Sequence, residues 1–492
     1  MAALPPITNL VVLMLENRSF DNVLGCLYPY SSNFEGLKGT ESNTDWSGTP
    51  YTIANNKNTT LMPPVDPGES FEDMNLQIWG NTAGTGSQSM SGFVKDYLAT
   101  PTQPGGIRQF PPLPYAHLPR PLASAQDIMN YFTTIGSTPQ LPVTGQLAQS
   151  FAVTDSWFGS CPTQTYANRM FLICGTAGGY VDDVQYLLYD HAYKSAPNYT
   201  SVFERLDAGG SSPANWKIYF HDLCLAGLVN LYAANAFTDK NNGNICNFDS
   251  SMPNPITPTF LADVAAGTLP RFSLIEPRYE TLSALSIIAN DNHPPHDMIY
   301  GEILLATVYN AIRKSAYWTN KNIMLIVTYD EHGGCYDHVA APAAINPGVS
   351  LLPPAPLPHW IPPIPPYKLA PNLFGPRVPT LIISPWVNSS LPSKSAFRPP
   401  NFTPNQPSSV TPFDHTSIIS TLNLFFNIGT LTQRDAAAPP LGTNVPNLYG
   451  DGSNAGPPSV PVPTPPESVV KQQLAQPPTG LGRKLPPMEP PR

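Results

Sequence analysis

Charge is scarce in this chain. Only 12% of its 492 residues are Asp, Glu, Lys or Arg, against the usual quarter or so, and the Lys and Arg residues form no run. Nucleic-acid binding needs a concentrated basic face to replace phosphate counterions, so a net charge of −9 excludes that class of partner. The same deficit removes any strong pull towards anionic membranes. No apolar run approaches the roughly 18 residues of a transmembrane helix, and the first strand begins almost at once, without the basic, apolar and small-residue segments of a signal peptide. The expectation is a soluble protein, cytoplasmic as written, or secreted or periplasmic if a leader has been removed. Cysteine is also sparse, with six residues and no Cys-x-x-Cys pair, which excludes the common structural zinc frameworks. Cys224 and Cys246 flank an Asn/Gly/Asp-rich insertion and could pair, two free thiols being the plainer reading.

What the chain does hold is two similar junctions far apart. Asn9 to Leu15 is a continuous apolar run that leads into Glu16-Asn17-Arg18-Ser19-Phe20-Asp21, and Ile323 to Tyr329 leads into Asp330-Glu331-His332-Gly333-Gly334. Runs of that kind, without polar alternation, mark strands covered on both faces by helices. In open α/β sheets ligands sit beyond the carboxyl ends of the strands, so Glu16, Asn17, Asp330 and Glu331 can meet despite their separation. Carboxylates brought together repel unless a cation lies between them, which makes a metal site the leading explanation. Helix caps and surface acids are the plainer alternative for either junction alone.

Further strands are expected at Phe151–Asp155, Trp216–Phe220, Phe272–Ile275 and Val378–Ser384, with a helix from Ser417 to Phe426 behind Asp414-His415-Thr416. Between about Tyr28 and Gln109 the sequence reads as long loops with short helices, one of them capped by Ser70 or Glu69. A helical pattern from Asp127 through Ile128, Phe132 and Ile135 is broken by Gly136 and Pro139, and Leu147 and Ala148 fall in a separate segment beyond Gly145. Strands alternating with helices give an α/β fold with a mainly parallel central sheet flanked by helices and long loop insertions. Residues 1–443 read as one domain. Proline is abundant at Pro353–Pro366 and from Pro457 onward, and residues 444–492 lose hydrophobic periodicity, so they read as an extended or disordered Pro-rich tail.

Three motifs, Glu16 to Asp21, Ala289-Asn290-Asp291-Asn292-His293-Pro294-Pro295-His296-Asp297 and Asp330 to His338, resemble the phosphoesterase family of non-specific phospholipases C and bacterial acid phosphatases. The likeness runs from about Ile7 to Phe426. It implies an alkaline-phosphatase-like core, one divalent ion on Glu16, Asn17, Asp330 and Glu331, and hydrolysis of phosphate esters. An oxygen-only donor set suits Ca²⁺, with Mg²⁺ and Mn²⁺ as alternatives, better than zinc. The family's nucleophile position falls on Thr165 in Pro162 to Arg169, with Thr163 as local competitor and Ala167 where relatives carry proline. The resemblance further makes Asn168 a donor to a phosphate oxygen, His293 a proton carrier and His221 a second phosphate contact. His332, His338 and His415 are placed as supporting groups.

One position departs from the pattern, because Glu69 stands where relatives have a phosphate-contacting histidine. A carboxylate there would repel a dianionic phosphomonoester unless it is protonated, turned away, or facing a cationic headgroup. The implied substrate is a phospholipid, cleaved as by a phospholipase C through a covalent phosphothreonine, with small phosphomonoesters as the alternative. Transient contact with a membrane surface, through loops such as Leu351-Leu352 with Pro353–Trp360, fits the first. A non-enzymatic binding protein and a sulfatase-like enzyme are the competing classes, the latter disfavoured by threonine at position 165.

Overall fold

In the computed structural model the two apolar runs lie side by side. Residues 4–476 are described, apart from 82, 100–123, 182, 184–198, 208–214, 228–242, 253–254, 351–371, 390–393 and 407. The loop 351–360 and the residues after 476 are outside this set. In chain order the described strands are β1 (Asn9–Leu15), β2 (Ser42–Thr44), β3 (Pro50–Thr52), β4 (Ala152–Thr154), β5 (Trp216–Phe220), β6 (Ile245–Asn247), β7 (Phe272–Glu276), β8 (Ile323–Tyr329) and β9 (Thr380–Ile383). Seven form one sheet in the order β4-β9-β8-β1-β7-β5-β6, and β2 with β3 makes a separate hairpin.

The sheet is mainly parallel, as expected. β1 runs parallel to β7 and β8, and β5 runs parallel to β6 and β7. Only β9 lies antiparallel to its neighbours β8 and β4. Every residue of β1 and of β8 is buried, which is why neither alternates polar with apolar. Fully burying one such Val, Leu or Ile contributes on the order of 1.5–3 kcal/mol, so these two strands anchor the core.

Local chemistry sets the helices that matter for the site. The helix Met298–Lys314 starts at Asp297, whose side chain accepts from the Ile299 N–H, and ends with Arg313 and Lys314 against the negative end of its dipole. Helix Phe71–Trp79 opens with a capping box between Ser70 and Asp73, so the cap is Ser70 rather than Glu69. The expected helix at Asp127 shrinks to a single turn at Asp127–Met129. Gly145 does not break a helix but sits inside Pro142–Ser150. A Cβ there would stand 1.6 Å from the Thr134 carbonyl oxygen, so glycine is needed for close approach.

The described part of the segment from residue 444 is docked against the body at several points. The Tyr309 hydroxyl donates to the Pro457 carbonyl at 2.6 Å, and Asn310 makes a two-way bond with the Val460 backbone at 2.8 and 2.9 Å. It then forms a helix, Glu467–Ala475, that the sequence did not announce. Its mean hydropathy is low, because one buried polar residue rather than an apolar stripe attaches it. Cys224 and Cys246 are both free thiols. Among the described residues no helix is long and apolar enough to cross a membrane.

Candidate active site

Register fixes the heart of the site. Leu15 pairs with Tyr329 in the last rung between β1 and β8, so Glu16 and Asp330 leave the sheet side by side at its carboxyl edge. Backbone bonds then stitch the two junctions together: Asp330 N donates to Leu15 O at 3.1 Å, and Arg18 N donates to Glu331 O at 3.0 Å. The Asn17 N–H donates to Asp330 Oδ1 at 3.0 Å. Asn17 itself has φ of 57°, a left-handed conformation that Asn tolerates better than most residues. Opposite it, Gly333 has φ of 62°, and a Cβ there would lie 2.1 Å from the Asn17 carbonyl oxygen. The glycine therefore lets the two loops touch.

Thr165 is the first residue of the helix Thr165–Cys174 and is buried. Its hydroxyl donates to Glu16 Oε2 at 3.3 Å. The competitor Thr163 spends its hydroxyl on the Val181 carbonyl instead. One turn along, Arg169 donates from Nε and Nη2 to Glu16 Oε1 at 3.1 and 2.6 Å and stands 3.6 Å from Asp330 Oδ2. Sequence reasoning passed over Arg169, although its i,i+4 spacing from Thr165 places both on one helix face.

Asn168 takes a different part from the expected one. Its amide nitrogen donates to the carbonyls of Cys161, Thr163 and Gln164, and its oxygen accepts from Cys161 N. Both ends of the carboxamide thus brace the loop ahead of Thr165, and neither is offered to a phosphate. His221 is likewise placed one strand away. It lies 3.7 Å from Asp249, with its ring tilted against Phe248 at 4.5 Å between centroids. Among the described residues no hydrogen bond or ion pair links it to Thr165, His293 or the four oxygen-bearing side chains, because it ends β5 and β7 lies between.

Burial gives the site its electrostatics. Loss of water first, then the neighbouring Asp330, pushes the Glu16 carboxyl well above the usual range. Glu331 is raised in the same way, by burial and then by Glu69 and Asp330. Three buried oxygens, Asn17 Oδ1, Asp330 Oδ2 and Glu331 Oε1, have no hydrogen-bond partner among the described residues. Unpartnered acceptors inside a ring of carboxylates match what a hard cation requires. Glu16, Asn17, Asp330 and Glu331 lie at this edge with oxygen donors, but the three carboxylates do not bring ligand atoms within 4.8 Å of one another.

His293 lies on the loop between β7 and the helix at Met298. Its Nδ1 is 2.6 Å from the Pro294 carbonyl and 3.7 Å from Asp66, and its Nε2 is 3.2 Å from Glu69 Oε1. Burial lowers its basicity, but Glu69 and Asp66 outweigh that and hold the imidazole well above its ordinary pKa. Glu69, wholly buried, also accepts from Asn17 Nδ2 at 2.5 Å. It is turned towards His293 and Asn17. Asp66, Glu69 and His293 offer ligand atoms within 4.8 Å of one another, as do Asp21, Asp337 and His338.

The remaining histidines support the loops. His415 Nε2 meets the Asp330 carbonyl at 2.5 Å while Nδ1 accepts from Trp157. His332 Nε2 meets Gln77 Oε1 at 2.7 Å, and burial brings its pKa down to about 3, so it stays neutral. His338 is the opposite case: its Nδ1 is 2.6 Å from Asp21 and its Nε2 3.2 Å from Glu35. Burial opposes its charge, but Asp21 prevails and raises the pKa from 6.5 to about 10. A folded-state pKa above the unfolded one means stability fully present below about pH 6.5 and lost as pH climbs towards 10. Removing one partner of a buried pair costs about 3–5 kcal/mol. His338→Gln should accordingly unfold at lower temperature than the wild type at pH 6, with the gap closing by pH 10; a constant gap in thermal melts across that range contradicts the assignment.

A hydroxyl at a helix start, set among buried carboxylates at the carboxyl edge of a parallel sheet, is the layout of an α/β enzyme. The Phosphoesterase family model matches residues 7–429, so the chain belongs to that family of phosphoric ester hydrolases. Non-specific phospholipase C6 of Arabidopsis thaliana is 32% identical over 88% of this chain and 71% of its own length. Non-specific phospholipase C1 of the same plant is 32% identical, covering 88% and 70%. Phospholipase C A of Mycobacterium tuberculosis is 26% identical over 80% and 71%. Among solved structures, the lipoteichoic acid synthase LtaP of Listeria monocytogenes is similar with a TM-score of 0.31 and 12% identity, over 65% of this chain and 72% of that one.

Proposed function

We propose that this protein is a metal-dependent phospholipase C in which Thr165 is the nucleophile. The observation that carries the reading is the Thr165 hydroxyl 3.3 Å from Glu16 Oε2, at the junction where Glu16 and Asp330 leave the sheet. A divalent ion, Ca²⁺ by its all-oxygen donors, would supply charge to stabilise the threonine alkoxide and polarise the phosphoryl group. Arg169 holds Glu16 in place and offsets part of the carboxylate charge. Thr165 Oγ passes its proton to Glu16 Oε2, its hydrogen-bond acceptor, and attacks phosphorus as the bond to the glycerol oxygen breaks, leaving the headgroup phosphate on Thr165; Glu16 returns that proton to Thr165 Oγ when water cleaves the phosphothreonine. His293, kept protonated by Glu69 and Asp66, gives its proton to the departing diacylglycerol and, once neutral, takes one from the water that releases the headgroup phosphate.

Charge favours a diester over a monoester. Glu16, Asp66, Glu69, Asp330 and Glu331 are all buried here, and a dianion meets twice the repulsion of a monoanion. The relatives named phospholipases C support the same choice. Incubation with phosphatidylcholine vesicles and, separately, with p-nitrophenyl phosphate tests it: diacylglycerol should appear at a rate roughly 100-fold above monoester turnover. A reversed preference would favour the acid-phosphatase alternative.

A further inference from the structure

The loop that carries His293 is poorly equipped to hold itself. Pro294 and Pro295 supply no N–H, so two successive positions cannot donate to a neighbouring strand. The loop is tied from within by Arg18, whose Nε donates to the Asn292 carbonyl at 2.7 Å and whose Nη2 reaches the His296 carbonyl at 3.5 Å. Asp291 adds a brace, accepting from His293 N at 3.1 Å and meeting His296 Nδ1 at 2.6 Å. The outer side is closed by the helix Glu467–Ala475, some 180 positions later in the chain. Gln473 is the single buried residue of that helix. Its Nε2 donates to the Pro295 carbonyl at 3.4 Å, and its Oε1 accepts from the Asp297 N–H at 3.3 Å. One side-chain amide thereby satisfies a carbonyl and an N–H two residues apart, as a paired strand would. The same helix accepts from Ser283 through the Leu474 carbonyl at 2.9 Å.

We propose that the C-terminal helix is a clamp on the catalytic loop and that Gln473 is a positioning residue, holding His293 at the site through Pro295 and Asp297. The inference rests on His293 serving the phosphoesterase reaction. The geometry suits that task, since Gln473 touches the backbone on the far side of His293 and no reacting group. Releasing it removes two of the bonds that fix the loop just beyond His293, and a displacement of about 1 Å at a catalytic group can cost as much as 100-fold in rate.

Amide hydrogen exchange over residues 289–299, read by mass spectrometry on the full chain, tests the clamp apart from activity. In Gln473→Ala the loop should exchange about tenfold faster, with kcat on phosphatidylcholine down by about 10- to 100-fold and KM nearly unchanged. Lys471→Ala, on the same helix with a side chain 74% exposed, should match the wild type in both readouts and so controls for damage to the helix. Unchanged exchange in Gln473→Ala overturns the clamp. Faster exchange at unchanged kcat overturns the positioning role. Faster exchange in the variant when even the wild type hydrolyses no phosphoester leaves the clamp standing and rejects the proposed reaction.

Discussion

Thr165→Ala should lose hydrolysis by about 10⁴-fold or more in kcat, the scale on which removal of a covalent nucleophile acts. The fold should survive it. The hydroxyl's bond to Glu16 is long at 3.3 Å, and Glu16 keeps both of its bonds from Arg169, so stability should move by no more than about 1 kcal/mol. Thr165→Ser keeps an attacking oxygen and should retain measurable turnover. Stopped turnover of phosphatidylcholine followed by intact-mass measurement should show one headgroup phosphate on the wild type and none on the alanine variant. Residual activity above a tenth of wild type in Thr165→Ala would remove the threonine from the mechanism.

Glu331→Gln and removal of divalent ions should have opposite effects on stability and the same effect on activity. Glu16 and Glu331 both have carboxyl pKa values well above the ordinary range in the folded protein, from burial first and neighbouring acids second. A raised folded-state pKa means stability that is complete below the unfolded value of 4.5 and declines as pH rises through the folded one. Chelator-treated protein should therefore melt at lower temperatures as pH goes from 5 to 8, and added Ca²⁺ or Mn²⁺ should abolish that slope. Replacing Glu331 by Gln removes one of the repelling charges, so the metal-free variant should melt above metal-free wild type at pH 8. Both chelation and the substitution should abolish hydrolysis, but only chelation should be reversed by adding metal. A chelated wild type that melts and hydrolyses as before would deny the ion any role.

The parts of this architecture that local sequence dictates are legible without coordinates. Continuous apolar runs such as Asn9–Leu15 and Ile323–Tyr329 read as strands buried on both faces, and their acidic continuations then place Glu16 and Asp330 at one edge. Thr165 is reached only through the family resemblance, since a threonine and an asparagine in a polar loop are by themselves ordinary turn residues. Legibility fails where a side chain has two chemically equal uses. Asn168 donates to loop carbonyls in place of a phosphate, a choice decided by the turn at Cys161–Gln164. His221 ends a strand, as a site residue would, yet its neighbourhood depends on the order β1-β7-β5. Glu69 is conspicuous in the sequence, but its inward turn towards Asn17 and His293 follows from contacts 52 and 224 positions away. Gln473 carries no local signal at all, since a polar residue on a polar helix is ordinary.

The division of the site between distant stretches bears on when the protein can first act. Asn17 and Asp330 are 313 positions apart, and pairings between remote segments form late because long loops must close before any contact is gained. A ribosome that has delivered β1 and Thr165 has made no hydrolase, because β8 and Asp330 are still unsynthesised. Phosphoester hydrolysis is thus withheld from unfinished chains, and the cell that makes this protein is spared an active esterase before synthesis ends.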